Sequence, residues 1–476
     1  MALPVVTIAQ MREWEKATWE TGQTEAEVIR LVGKRVADLA LQITRRDELI
    51  VILAGKGNNG ADARAAREHL TDRRVDLLDI KEPQTELSKL DALLSLRPAL
   101  IIDGLFGIGI NRTLSPEWIL LIKRVNEARL PVLAVDLPSG LNGDTGEPHG
   151  AAIQARITLC VGAPKQGLLN PPAWPFVGRL EVASPVGLAS NNISSELRWL
   201  LPQDFRGYPE SRAPATHKGT YGHLAIMAGS MGYHGAAVLA ARGAQRAQPG
   251  LITLHTCESV YHSIAPQTQA VMVSPWQPAN KLLGRYTGFL IGPGLAAPDV
   301  PEEMKVLTRH LWRDTQFPMV MDASALDWVP LDSAPRNAIR VLTPHPAEAG
   351  RLLRCSAEQV QANRVAALRQ LSRRFGNTWV VLKGHQTLIG RSTSEVYVNS
   401  SGNPYLAQGG SGDLLSGYLA GLLTQPLLAA DALKTIAFAV WQHGAAADEL
   451  QSKRRVWTVE DLAEVIGTSA CDQQNA

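Results

Sequence analysis

The sequence predicts two α/β domains, each built on a parallel sheet with helices over both faces. Three observations lead there. Continuous apolar runs, such as Leu-Ile-Val-Ile-Leu-Ala over 49–54, recur between amphipathic stretches in both halves. A strand that is apolar on both faces belongs to a sheet covered on both sides. Polar and glycine-rich segments begin where these runs end, which is where open parallel sheets bind ligands. Between the halves, residues 201–216 carry Pro202, Pro209 and Pro214 without sustained periodicity, and this reads as a linker. A chain of 476 residues suits two or three domains at ~150 residues each. The expected domains are 1–208 and 209–476.

In chain order, residues 8–22 and 24–46 read as helices, with Ile29, Leu31, Val36, Leu39 and Leu41 roughly on one face. Apolar runs near 49–54, 74–78, 99–102, 131–135 and 156–162 read as strands, and the stretches near 61–71, 84–96 and 115–129 as helices between them. The second half repeats the pattern, with strands expected near 223–228, 251–255, 288–292, 318–322, 339–342 and 378–383. It closes with helices expected near 412–424 and 427–449.

Composition narrows the function. Hydrophobic residues at 45% and charged residues at 19% are those of a globular chain with ordinary cores, not a disordered one. Lys plus Arg (47) nearly balance Asp plus Glu (45), and no basic block stands out, so nucleic acid is not an expected partner. Cys160, Cys257, Cys355 and Cys471 lie far apart with no C-x-x-C spacing, which suggests neither a disulfide framework nor a thiolate metal site. The first residues lack a positive n-region and carry Pro4, and no stretch reaches the ~18 apolar residues of a membrane span. A cytoplasmic protein without a membrane partner is expected. Whether copies associate into a homo-oligomer is left open.

Four loops of the first half share one sheet rim. They are Gly55-Lys-Gly-Asn-Asn-Gly-Ala-Asp62, Asp103-Gly-Leu-Phe-Gly-Ile-Gly109, Asp136-Leu-Pro-Ser-Gly140 and Gly162-Ala-Pro-Lys165. Gly55, Gly57 and Gly60 match the dinucleotide fingerprint, with Asp79 about 19 residues on. A Rossmann dehydrogenase is therefore one reading, and a plain glycine turn into a helix is another. The Asn58-Asn59 pair favours a different chemistry. Side-chain amides at a helix entrance offer oxygens to a cation, and Asp103 and Ser139 could complete an oxygen-ligated site, although each alone suits a turn or cap.

These loops resemble those of the NAD(P)H-hydrate epimerase (YjeF N-terminal) domain over about residues 8–208. The resemblance implies a Rossmann-like parallel sheet sandwich. It implies that the damaged nicotinamide is bound by Asn58, Asn59, Gly60, Ala61 and Asp62, by Gly107, Ile108, Gly109, Ile110, Asn111, Arg112 and Thr113, and by Asp136. By the same carry-over Asn59, Asp103 and Ser139 hold K⁺. Asp136 is the implied acid/base group for interconverting the R and S hydrates at C6. Ala61 and Ala63 stand where the family usually carries glycine.

In the second half, Gly402-Asn-Pro-Tyr-Leu-Ala-Gln-Gly-Gly-Ser-Gly-Asp413 runs straight into an apolar helical stretch. Glycines entering a helix aim free N–H groups and the helix dipole at an anion. Asp413 in the first turn could accept a hydroxyl proton while those amides stabilise phosphate, or it could simply cap the helix. His345, between prolines at a helix start, could instead be a buried structural histidine. Lys383, ending a strand, could be solvated.

This run resembles the anion hole and catalytic motif of the ribokinase-like superfamily. His217-Lys-Gly-Thr-Tyr-Gly222, Gly229-Ser-Met-Gly-Tyr-His-Gly-Ala236, Gly292-Pro-Gly294, Thr343-Pro-His-Pro-Ala-Glu348 and Leu382-Lys-Gly-His-Gln-Thr387 narrow the likeness to the ADP-dependent (S)-NAD(P)H-hydrate dehydratase (YjeF C-terminal) domain, over about 211–470. It implies a ribokinase-like α/β sandwich in which Ala236, Gly294, His345 and Asp413 contact the hydrate. Lys383, Gly384, His385, Gln386, Thr387 and Gly412 would hold the adenosine nucleotide. Mg²⁺ is the expected companion of ADP phosphates. Ser324 stands where the family usually has aspartate.

The resemblances imply a bifunctional nicotinamide-nucleotide repair enzyme that epimerises R and S hydrates and dehydrates the S form at the expense of ADP, with NAD(P)H hydrates and ADP as its small-molecule partners. The alternative is a ribokinase-like vitamin or sugar kinase fused to a catalytically silent nucleotide-binding module.

Overall fold

In the computed structural model, residues 2–190, 193–277, 285–331, 334–335, 337–454 and 456–468 are described. Cys471 and the polar tail after Ser469 lie outside them. The chain divides into two compact units between Glu196 and Leu197.

In the first unit, strands β1 (Leu49–Ala54), β2 (Arg74–Asp79), β3 (Leu100–Gly104), β4 (Val132–Val135), β5 (Ile157–Val161) and β6 (Arg179–Ala183) lie in the order β2-β1-β3-β4-β5-β6, all parallel. β6 is an addition to the expected strands. Side chains alternate across the sheet as the strand period requires. Ile50 and Ile52 enter one core with Val32 and Val36, and Val51 and Leu53 the other with Leu90 and Leu121. Each such side chain contributes roughly 1.5–3 kcal/mol on burial, and two cores are why β1 is apolar throughout.

Helices α1 (Ile8–Glu20) and α2 (Glu25–Ile43) start where the sequence provides caps. The Thr7 hydroxyl accepts from the Gln10 N–H, the Gln10 side chain returns the bond, and the Thr24 side chain accepts from the Glu27 N–H.

The second unit holds β7 (Leu197–Trp199), β8 (His223–Met227), β9 (Leu251–Thr256), β10 (Met272–Pro275), β11 (Gly288–Ile291), β12 (Met319–Met321), β13 (Arg340–Leu342), β14 (Trp379–Leu382), β15 (Leu388–Gly390) and β16 (Val396–Val398). They run in the order β7-β16-β15-β14-β13-β12-β11-β8-β9-β10. β8 to β14 pair in parallel, while β15 joins both neighbours antiparallel. The expected helix at 412–424 is observed as Ser411–Leu423, buried through most of its length. It packs on His234–Ala247 through glycine: a Cβ on Gly417 would stand 2.0 Å from the Ala240 carbonyl oxygen.

The stretch 201–216 is not a free linker. Pro202–Phe205 forms a 3₁₀ turn, and Phe205 is buried against Phe438 and Trp441, with ring centroids 5.6 and 5.4 Å away. Tyr208 packs edge-on against Phe438 and bonds to Thr435, and Arg212 lies 3.7 Å over the Tyr221 ring. Aromatic burial outweighs the turn-forming prolines here. No helix among the described residues is long and apolar enough to cross a membrane.

Candidate active sites

In the first unit, β1 runs through Gly55–Gly57 into helix α3 (Asn58–Ala66). A Cβ on Gly60 would stand 2.1 Å from the Gly55 carbonyl oxygen, so this turn tolerates only glycine. Asn59 Nδ2 donates to the Phe106 carbonyl at 2.8 Å, while its Oδ1 is buried without a partner. Asp103, fully buried, accepts from the Ser139 N–H at 2.8 Å, the Ser139 hydroxyl at 2.6 Å and the Leu105 N–H at 3.2 Å. Burial pushes its carboxyl up to about 6, against the pull of those bonds. Asn59, Asp103 and Ser139 are thus brought together through Phe106, whose N–H also donates to the Ser139 hydroxyl at 2.9 Å.

Beside them lies a charged pair. Asp136, with φ +67°, accepts from the Val161 N–H at 3.0 Å and from the Lys165 ammonium. Lys165 is fully buried and also donates to the Val161 carbonyl at 2.9 Å. Asp62 is buried near them, and its carboxyl is held well above the usual range, first by burial and then by the charges of Asp136, Glu15 and Glu25. Burial and Asp136 likewise raise Glu15. The Asn58 side chain donates to Glu25.

Sequence reasoning saw Lys165 at a strand end but gave it no role, and it missed Glu15 and Glu25. A lone lysine in an apolar context was the available signal for the first. No motif marks the other two.

The remaining candidates spread outward. Gly107 abuts Asn59, where a Cβ would meet the Asn59 Cβ at 3.3 Å. Ile108 offers its carbonyl to Arg12. Ile110 is half-buried, and Gly109, Asn111, Arg112 and Thr113 form an exposed rim. Ala61 is half-buried. Ala63 turns into the core against Gly104, away from the rim. Asp79, which a dinucleotide fingerprint needs for a ribose, is paired with Arg64 Nε at 2.6 Å.

In the second unit, the helix Ser411–Leu423 starts at Gly410, φ +93°, with no side-chain cap. No side chain caps its first turn, although the Ser411 N–H donates to the Gln408 carbonyl at 3.3 Å. Asp413 therefore does not cap it. Burial, then the charge of Asp322, raise the Asp413 carboxyl to about 7, with Lys383 opposing and Glu348 adding to the rise. Lys383 Nζ lies 2.8 Å from Asp322 Oδ1 and 3.9 Å from Glu348 Oε2. Burial works against the Lys383 charge, but Asp322, Glu348 and Asp413 outweigh it and raise its pKa. A Cβ on Gly412 would stand 3.3 Å from that ammonium. The solvated-lysine reading is thus replaced by a lysine set among carboxylates.

His345 is not a buried structural histidine, since its side chain is 51% exposed. Its Nδ1 accepts from the Ala347 and Glu348 N–H groups at 3.2 and 3.3 Å, and Glu348 returns a bond from the His345 N–H at 2.7 Å. Ala236 and Gly294 meet, with a Cβ on Gly294 placed 3.0 Å from the Ala236 Cβ. The buried Ser230 hydroxyl fixes that meeting by donating to the Gly294 carbonyl at 2.6 Å and accepting from Ala296 and Ala297.

Gly384 and Gln386 adopt positive φ, +129° and +52°, and the Thr387 hydroxyl donates to the Gly384 carbonyl at 3.1 Å. Burial, then Arg364, lower the His385 pKa. Glu348 ends the Thr343–Glu348 motif and Asp322 ends an expected strand, but the clustering of their charges is a property of the fold.

A family model described as NAD(P)H-hydrate dehydratase matches residues 224–468, and one described as YjeF-related protein N-terminus matches residues 79–167. The chain is 33% identical over 466 residues to the bifunctional NAD(P)H-hydrate repair enzyme Nnr of Coxiella burnetii, covering 92% of this chain and 93% of that one. It is 36% identical over 363 residues to that of Vibrio cholerae, covering 73% and 70%. Among solved structures, a ribokinase-like superfamily protein of Enterococcus faecalis superposes with a TM-score of 0.50 at 24% identity, covering 59% of this chain and 97% of that one. The last likeness concerns fold alone.

Proposed function

The chain belongs to the family of bifunctional NAD(P)H-hydrate repair enzymes, and from that premise we propose how its two units divide the work. The first equilibrates the R and S hydrates of NAD(P)H. The second dehydrates the S form at the expense of ADP, giving NAD(P)H, AMP and phosphate.

The observation that carries the second activity is the Asp413 carboxyl, raised to about 7 at an uncapped helix start beside Lys383. Asp413 accepts the proton of the C6 hydroxyl as the hydroxyl oxygen attacks the terminal phosphorus of ADP, and AMP leaves. The amides of Gly409 to Gly412 stabilise charge on the transferring phosphoryl group. Phosphate then departs from C6 as a proton is lost from C5, which restores the double bond of the reduced nicotinamide. Ala236, Gly294 and His345 border the hydrate, and Lys383 to Thr387 with Gly412 border the nucleotide.

Among the described residues, no group of three histidines, cysteines or carboxylates could hold a metal by itself. Mg²⁺ fits here only with phosphate oxygens completing its shell, which is its usual manner of binding.

In the first unit, Asp136 is the acid/base group for interconverting the R and S hydrates at C6, and the buried Lys165 keeps its carboxylate oriented. Asn58 to Asp62 and Gly107 to Thr113 form the walls for the nicotinamide. The orphaned Asn59 Oδ1, beside Asp103 and Ser139, supports K⁺ there, since amide, hydroxyl and carboxylate oxygens suit a hard cation. Bound there, it supplies positive charge near Asp103. Cys160, Cys257 and Cys355 are free thiols, which suits a cytoplasmic location.

The test is incubation with mixed R and S hydrates, with and without ADP, following the absorbance of the reduced nicotinamide. Full recovery of both epimers with ADP is expected. A stable phosphorylated product without recovery would identify a kinase instead.

A further inference from the structure

Arg364 opens the helix Arg364–Arg374, and its side chain lies against the Lys383–Thr387 segment. Nη1 donates to the carbonyls of His385 and Gln386, and Nη2 donates to that of Leu382 at 3.2 Å. Nη2 also lies 3.5 Å from where a Cβ on Gly384 would stand, with nothing else within 4 Å. Its Nε–H is buried without a partner. The residue is 8% exposed and forms no ion pair among the described residues. Burial pushes its guanidinium down to about 10.

This position opposes a positive charge three times over. A buried charge ordinarily has a counter-charge, a helix N-terminus disfavours cations, and a buried donor left unpaired is destabilising. Arg340 shows the ordinary solution. It too is buried without a carboxylate, but it donates to the Leu311, Trp312 and Thr315 carbonyls at the C-terminus of Glu302–Asp314, where the helix dipole favours a cation.

We propose that Arg364 is a positioning residue for the nucleotide: it shapes the Lys383–Thr387 segment and leaves beneath Gly384 one uncompensated positive charge that the phosphates of a nucleoside diphosphate neutralise. The inference rests on the reading above that this segment holds ADP.

Calorimetric titration of the full chain with ADP and with adenosine tests it. In Arg364→Met, ADP affinity should fall about tenfold more than adenosine affinity, because the lost attraction acts only on the charged ligand. Arg364→Lys keeps the charge but loses the guanidinium fork, so both ligands should bind more weakly while the ADP-to-adenosine ratio stays within about threefold of the parent. If the methionine variant fails to fold, Arg364→Gln, polar but uncharged, carries the same expectation. Equal weakening of both ligands in the uncharged variant overturns the proposal, as does a folded lysine variant that loses its preference for ADP. A parent protein that binds no ADP overturns the nucleotide assignment itself, which is a separate outcome from a parent that binds ADP beside variants unchanged in preference.

Discussion

Asp322 and Lys383 form a partly buried ion pair, 2.8 Å between Oδ1 and Nζ, and Asp413 responds to both members. Asp322 repels a charge on Asp413 while Lys383 attracts it. A carboxyl that burial alone would raise is thus brought to about 7, where a base is effective near neutral pH.

Asp413→Asn should abolish dehydration while ADP binding stays nearly intact. The amide keeps the size of the carboxylate, and no cap is lost because Asp413 does not cap the helix. Loss of a positioned base costs ~10²–10⁴-fold in rate. Calorimetry for ADP beside turnover of S hydrate checks both halves of this statement. Turnover within about threefold of the parent would sink the assignment, since it falls far short of that loss.

Dehydration at low substrate should rise with pH through about 7 and level above it, because the base is the ionised form. Stability runs the other way. The folded carboxyl holds its proton more tightly than the ordinary value of 3.8, so the stability this group contributes is lost as pH rises from there to about 7. A pH–rate profile flat across this window would remove Asp413 as the titrating base.

Asp322→Asn should move the ascending limb of that profile to lower pH. It deletes the charge that raises Asp413 and leaves Lys383 to attract it. Losing this partly buried pair should also lower stability, read by denaturant titration, but by less than the ~3–5 kcal/mol of a buried charge left unpaired, because Glu348 and Asp413 still face Lys383. A limb unmoved in a folded variant would show that Asp322 does not act on Asp413.

Exchange of R and S hydrates should slow when K⁺ is replaced by a bulky organic cation, while dehydration of pure S hydrate is unaffected. The basis is the unpartnered Asn59 Oδ1 beside Asp103 and Ser139. Equal exchange rates in both buffers would take the cation out of the first unit.

A fragment beginning at Leu197 should fold and dehydrate S hydrate, because that is where the compact units divide. One beginning at Ser211 loses Phe205 and Tyr208 from the Phe438–Trp441 cluster. It should be less stable by at least about 3–5 kcal/mol, the usual loss for one large buried aromatic. Equal melting temperatures for the two fragments would contradict this reading of residues 201–216.

The sequence by itself determined the α/β class, most of the parallel strands and the loops that carry chemistry. Those properties are local: apolar runs such as 49–54, glycines at Gly55 and Gly60, and the glycine run before Ser411. Strand order and the added antiparallel pairing of β15 were decided by tertiary structure, since short strands such as Leu388–Gly390 carry too little pattern to assign. Residues 201–216 show the same limit from the other side. Three prolines signal a turn-rich stretch, but whether Phe205 finds an apolar surface depends on Phe438 and Trp441, more than two hundred residues away.

The charges divide in the same way. Asp413 and Asp136 stand out in their motifs, but the raised carboxyl of the one and the lysine partner of the other come from Asp322, Lys383 and Lys165. Electrostatic energy depends on distance and burial, and the chain acquires both only when it folds.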